Sequence, residues 1–289
     1  MEVWPQVSYQ YDGSFAGFLS CVFESYAYRE EPVCFLSPGD GRTTLWDTRR
    51  VDADQALARR VWRGIRQNIS PGAGRLASRA FLTCLEEREI HIWRFLEYGF
   101  RRGSSVTADL GDDRVDVLRR AVQHLEEEAH KYTGFVRFSE LDGVLAGEIE
   151  PKNRVLPLLR PHFCARCSGE AFVIHDRTHH EALFSRPGRW DIVPVEGFQA
   201  GVPDRRELDY RQLWRRFYDA IAIAERYNPK CRMTHMPKRY WSTMTEFQGP
   251  DFFTPQSSPA GVPAPGAPAG KPVPGIPPAP GRSVPGSSL

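Results

Sequence analysis

The stretch EAHKYTGFVRFSELDGVLAGEIE, Glu128 to Glu150, changes its hydrophobic period partway along and so decides the fold. Before it, Val115, Leu118, Val122 and Leu125 recur at helical spacing, which predicts a helix over Asp113 to His130 with that stripe inward. From Phe135 the period becomes two. Phe135 and Arg137 alternate with Val136 and Phe138, Asp142-Gly143 supplies a hairpin turn, and Val144 to Glu150 returns as the second strand.

Working outward towards the C-terminus, a helix is expected from Asn153 to Cys167, with Pro157 and Pro161 as irregularities. Ala171 to His175, Glu181 to Ser185 and Trp190 to Val195 read as strands, separated by turns at Asp176 to His179 and Pro187 to Gly188. Connections this short favour an antiparallel meander with helices on one side. Asp204 and Glu207 form a capping box for a long helix to Tyr227, with Leu213, Phe217, Ala220 and Ile221 inward. Asn228 and Pro229 stop it, and Pro237 begins a last helix to about Phe247. The fold class is therefore α+β: an antiparallel sheet of about five strands packed against several helices.

Towards the N-terminus, Ser8 to Tyr11 is a short strand, and Ser14 caps a helix with Phe15, Phe18, Leu19, Val22, Phe23 and Tyr26 on one face. Glu31 to Arg50 reads as loop-rich or weakly stranded. Asp52 or Asp54 opens a helix that Ser70, Pro71, Gly72 and Gly74 break. Further helices are expected from Leu76 to Glu86, with Glu89 to Arg101 following, and the Glu126 to Glu128 run reads as a solvated face. The organisation is a mainly helical part over 1–130, a sheet with C-terminal helices over 131–248, continuous with the first or separate from it, and a tail over 249–289.

That tail holds 12 of the 24 prolines, with Asp251, Lys271 and Arg282 its only charges after Pro250. Such a composition cannot bury enough apolar surface to offset its ordering entropy, so it is expected to be disordered. No apolar run approaches membrane-spanning length, and no signal-peptide core is evident. A cytoplasmic location, away from membranes, is the expectation. The net charge of +2 excludes a strongly basic polyanion binder, but it is unevenly spread: residues 1–40 are acidic and residues 201–250 basic. Arginine far outnumbers lysine, which suits phosphate contacts and equally suits a GC-rich genome with no function attached.

Six cysteines include one close pair, Cys164 and Cys167, with His162, His175, His179, His180, Cys231 and His235 as further candidate ligands. No second CxxC completes a zinc set, and two small apolar cysteines on one helix face explain the pair as well, so no metal and no cofactor are expected. The sequence around His124 and His130 lacks the HExxH spacing, and there is no GxSxG, P-loop or GxGxxG. His130 reads either as a helix-end histidine or as a general acid or base. The basic back of the chain interleaves arginine with aromatic residues: Arg211, Trp214, Arg215 and Tyr218 along the penultimate helix, and Lys238, Arg239, Tyr240 and Trp241 at the start of the last. There the cations would hold phosphate and the rings stack on bases. The alternative is half-buried packing rings beside solubilising arginines.

The blocks YDGSFAGFLSCVFESY (Tyr11 to Tyr26), EAHKYTGFVRFSEL (Glu128 to Leu141), PHFCARC with FVIHDRTHHEALF (Pro161 to Phe184), LWRRFYDAIAIAERYNPKCR and MPKRYWSTMTEF resemble a bacterial family of DNA repair or DNA metabolism proteins. Its shared domain of unknown function also occurs fused to uracil-DNA glycosylase-like domains, and its genes accompany a DNA-modification radical SAM protein. The resemblance runs from Tyr9 to Phe247 and omits the tail. It singles out His130, Arg137, Phe138, Asp176, Trp214, Tyr218, Pro237, Lys238, Arg239, Tyr240, Trp241 and Glu246. Cys167 stands where the family has an aromatic residue, which weakens any shared metal role.

The resemblance implies an accessory protein that binds single-stranded or damaged DNA, or presents it to a radical SAM or glycosylase partner, and implies no established reaction. In that reading Arg137, Lys238 and Arg239 contact phosphate while Phe138, Tyr240 and Trp241 pack or stack. Two alternatives stand beside it. One is an enzyme with His130 as general acid or base and Asp176 or Glu246 nearby. The other is an interaction scaffold, with Pro274 to Pro277 as a docking segment.

Overall fold

The computed structural model describes residues 4–197, 204–221 and 228–247. The chain opens with β1 (Gln6–Gln10), α1 (Phe15–Tyr28), β2 (Glu31–Leu36) and β3 (Thr48–Arg50). β1 lies between β2 and β3 and runs parallel to both. The expected loop-rich stretch therefore supplies two strands. A parallel partner needs a crossover, and α1 provides it between β1 and β2. Asp12 Oδ1 accepts from Ser14 N, Ser14 Oγ accepts from Gly17 N at 2.9 Å, and Arg29 in the left-handed region closes the helix. Tyr9 and Phe35 stack in the core, and Tyr9 Oη donates to buried Glu30, which also pairs with Arg49.

Helices α2 (Gln55–Gly64), α3 (Pro71–Ala80) and α4 (Arg88–Arg102) share one hydrophobic core with this sheet, and α4 lies against β2. The helix predicted from Leu76 to Glu86 instead starts at Pro71, because Ser70 accepts from Ala73 N and proline at the first position begins a helix rather than ending one. Then α5 (Asp113–Phe135) runs past His130 and takes in Phe135, so the first strand of the hairpin begins only at Phe138. Val115, Leu118 and Val122 join the N-terminal core while Leu125, Ala129 and Tyr132 join the second. One helix thus carries both.

The second sheet has the order β4 (Phe138–Leu141), β5 (Val144–Ile149), β6 (Phe172–Asp176), β7 (Glu181–Arg186) and β8 (Arg189–Pro194). Asp142 and Gly143, both at positive φ, make the expected hairpin turn. The wholly antiparallel expectation needs one correction. β5 and β6 are parallel, because α6 (Leu156–Arg166) crosses between them; the other pairings are antiparallel. This helix is shorter than the expected Asn153 to Cys167: Asn153 is held by Glu128, Pro157 sits at its first turn and Pro161 lies within it.

The C-terminal part comprises α7 (Arg205–Ala220), α8 (Pro229–His235) and short 3-10 turns over Lys238–Thr243 and Thr245–Phe247. The last helix expected from Pro237 is therefore a pair of tighter turns. Asp204 caps α7 by accepting from Glu207 N at 2.7 Å, but the Glu207 carboxylate accepts from Glu140 N and Arg211 instead of closing a capping box. The predicted extension through residues 222–227 and the tail over 249–289 lie outside the described residues. Among those described, no helix is long and apolar enough to cross a membrane.

Candidate nucleic-acid interface

Two buried carboxylates hold the C-terminal turns against the body. Glu128 belongs to the run expected to face solvent, yet it is buried on α5. Its Oε1 accepts from Lys152 N at 3.1 Å and pairs with Arg239 Nη1 at 2.9 Å, while its Oε2 accepts from Asn153 N at 2.8 Å and Asn153 Nδ2 at 2.6 Å. An isolated carboxylate would be unstable there; one with four donors is not. The second is Glu246, whose side chain is 1% exposed. It accepts from Arg137 Nη2 at 2.6 Å, Arg137 Nε at 3.1 Å and Trp214 Nε1 at 3.1 Å. Burial raises its pKa, but the Arg137 guanidinium, a backbone N–H and Trp214 Nε1 together outweigh that and hold the carboxyl below the ordinary range.

These latches are reciprocal. The C-terminal segment offers Arg239 to a carboxylate of the body and offers Glu246 to an arginine of the body. Between them Tyr240 is buried, edge-on to Tyr132 at 5.0 Å and tilted against Phe135 at 5.1 Å. Trp241 stacks on Phe247 at 4.3 Å and its Nε1 donates to Met236 O, with Arg232 over both rings. Phe138 packs edge-on against Phe163 and Phe172. Of the rings singled out in the sequence, Tyr240 is a fully buried packing residue and Phe138 is half-buried against the second core.

The basic candidates divide in the same way. Arg137 and Arg239 are committed to the two carboxylates, Arg211 pairs with Glu207 at 2.7 Å and also bonds Ser139, and Arg215 Nε donates to Thr245 O at 3.2 Å. Tyr218 packs edge-on against Phe247. Lys238 is exposed, with its Nζ 5.9 Å from the Trp241 ring centre.

What the segment does present is one face of α7. Leu213, Phe217, Ala220 and Ile221, expected inward, point outward: Leu213 is 61% exposed, Phe217 51% and Ile221 57%. Tyr210 and Trp214 share this face, with Arg206 over the Tyr210 ring and Arg205 and Arg216 exposed alongside. The periodicity of this helix was legible, but not which side would meet the body. Polar anchors settle it: Glu207, Arg211 and Arg215 face the sheet and turns, which rotates the apolar stripe to solvent.

The enzymatic candidates occupy three separate settings. His130 is on an exposed stretch of α5 and lines a cavity of about 420 Å³ with Arg79, Glu126, Thr133, Pro157 and Leu158. Asp176 ends β6, buried, accepting from Thr178 N, His179 N and the His179 ring at 2.7 Å, and so builds its own turn. Glu246 is the latch described above. Among the described residues no hydrogen bond or ion pair joins these three, and no group of three His, Cys, Asp or Glu is placed to hold a metal ion.

The family model of a domain of unknown function, DUF4130, matches residues 86–246. Comparison with curated proteins gives no match. Among solved structures, the pGpG-specific phosphodiesterase PggH from Vibrio cholerae is similar over 62% of this chain and 81% of its own, at 10% identity and a TM-score of 0.32, too low for any functional transfer.

Proposed function

This chain belongs to the DUF4130 family, and we propose that it is a DNA-associated accessory protein that holds single-stranded or damaged DNA for a partner enzyme of the radical SAM or glycosylase type. The observation that carries this is the pair of solvent-facing rings Tyr210 and Phe217 on α7, with Trp214 half-exposed at their edge, its Nε1 on Glu246, and with Arg205, Arg206 and Arg216 exposed on the same helix. A helix rises ~1.5 Å per residue, so Tyr210 and Phe217 stand roughly 10 Å apart along it. At ~3.4 Å per nucleotide that spans about three bases of one strand. Exposed rings beside unburied cations suit bases that are already unstacked. The phosphate contacts fall to Arg205, Arg206, Arg216 and Lys238, in place of Arg137 and Arg239.

Filter binding of labelled single-stranded and duplex oligonucleotides at low salt tests the reading. Preference for the single strand, with affinity falling steeply as salt rises, is the expected result; absence of binding to any DNA form ends it.

The aliphatic members of the same face, Leu213 and Ile221, favour a second reading, in which α7 docks on a partner protein. Capture of a radical SAM or glycosylase-type partner, with and without nuclease, separates the two. Capture that survives nuclease supports protein docking, and capture lost with nuclease supports a DNA bridge.

A further inference from the structure

Cys164 and Cys167 line one pocket of about 310 Å³ at the C-terminal end of α6, opposite the β7–β8 turn. Both are free thiols and half-buried. Cys164 Sγ lies 3.5 Å from Ser185 Oγ on β7. The far wall carries Arg186, Arg189 and Trp190, all exposed, with Arg160 stacked over the Trp190 ring at 4.1 Å.

Residues three apart on a helix have Cα atoms about 5 Å apart, inside the range a disulfide bridges. Ideal helical Cβ positions are too far apart to close the bond, but Cys167 already lies outside the helix. It is the residue after Arg166, at φ −108 and ψ 40, anchored by its N–H to Phe163 O at 2.8 Å. Only that last turn has to pivot.

We propose that Cys164 and Cys167 form a dithiol site that exchanges with an anionic low-molecular-weight disulfide, oxidised glutathione being the model compound. The Cys164 thiolate attacks one sulfur of the bound disulfide. The S–S bond breaks, one small thiolate leaves and takes a proton, and a mixed disulfide remains on Cys164. Cys167 then loses its proton and attacks the Cys164 sulfur, expelling the second small thiol and leaving the Cys164–Cys167 bond. Two protein thiols are oxidised and one small disulfide is reduced to two thiols. Arg186 and Arg189 supply the recognition, since such a disulfide carries carboxylates. The assignment of Cys164 as the first nucleophile follows from position: Ser185 Oγ is beside it to donate to a thiolate. Cys167 is the poorer starter, because burial and then Glu170 push its thiol up.

The reduced full-length protein is incubated with oxidised glutathione or with cystamine, a cationic disulfide, then alkylated and digested with trypsin. Cleavage after Arg166 separates the two cysteines, so a bond between them appears as two peptides joined by one disulfide. The expected product is that joined pair, formed about tenfold faster with glutathione disulfide than with cystamine. C167S should trap a stable glutathione adduct on Cys164, C164S should leave Cys167 unmodified over the same interval, and R186A/R189A should abolish the preference for the anionic disulfide. Exposed Cys84 and Cys231 serve as internal references for unassisted exchange. Independent adducts on Cys164 and Cys167 with no joined peptides, or equal rates with the two disulfides in the native sequence, would overturn the proposal.

Discussion

Arg239 reaches from the C-terminal turn to Glu128 on α5, Nη1 to Oε1 at 2.9 Å, and so fastens the last described segment to the helix that runs through both cores. A residue expected to meet DNA phosphate also forms half of an internal pair whose other half is buried. Breaking a buried pair from the carboxylate side leaves several donors stranded, which is more damaging than trimming the partly exposed arginine.

Glu128→Ala should therefore lower the unfolding free energy by about 3 kcal/mol, and Arg239→Ala by about 1.5 kcal/mol. Urea titration followed by far-UV circular dichroism checks both. If Arg239→Ala leaves stability untouched while reducing the salt dependence of DNA binding, Arg239 is a phosphate contact and the latch is incidental.

The Arg137–Glu246 pair makes a prediction about pH. Glu246 is held below its ordinary pKa in the folded protein, so its stabilising contribution is complete above the unfolded carboxylate value and is lost as pH falls through the folded one. Acid should loosen the 245–247 turn before the core, seen as faster amide exchange there. Glu246→Gln should remove that pH dependence, and Arg137→Ala should lower stability by about 3 kcal/mol at neutral pH by leaving the carboxylate buried without its charged partner, with Trp214 Nε1 still bonded to it.

Gly99 on α4 tests the N-terminal core. A Cβ there would stand 2.6 Å from Ile69 Cδ1 and close to two further Ile69 atoms. Gly99→Ala should destabilise by roughly 1–3 kcal/mol through overpacking, outweighing alanine's better helix propensity, and thermal unfolding measures it. The double variant with Ile69→Val should recover part of the loss.

Much of the architecture is legible in the letters. The switch from helix to hairpin, though it comes three residues later than Phe135, the Asp142-Gly143 turn and the three strands beyond Ala171 all form, because each is a local signal in turn chemistry or alternation. β2 and β3 were harder to see. They are short, weakly alternating and complete only against β1, so their signal is a partner rather than a pattern. The parallel β5–β6 pair depends likewise on where α6 returns the chain. Glu128 was readable in principle, since it shares the helical phase of Leu125 and Tyr132, but adjacent glutamates at 126 and 127 hid that phase in a charge run. The outward face of α7 was not readable, because its polar anchors belong to Glu140, Ser139 and Thr245, which are remote in sequence.

The exposed rings of α7 make few internal bonds, so they can be removed cleanly. Tyr210→Ala and Phe217→Ala should each weaken single-strand affinity by roughly 1 kcal/mol or more, about a fivefold rise in Kd, while the unfolding midpoint stays the same. Trp214→Ala should weaken affinity and also lower the unfolding midpoint, because its Nε1 bonds Glu246.

The most direct measurement is the equilibrium affinity of the full chain for a short labelled single strand across a salt series, taken beside the Tyr210→Ala/Phe217→Ala and Arg206→Ala/Arg216→Ala variants. Binding at low salt should weaken linearly in log–log form, with a uniform loss of affinity in the ring variant and a salt slope shallower by up to about two in the arginine variant. Equal binding by all three proteins, or no binding at low salt, would contradict the proposed function.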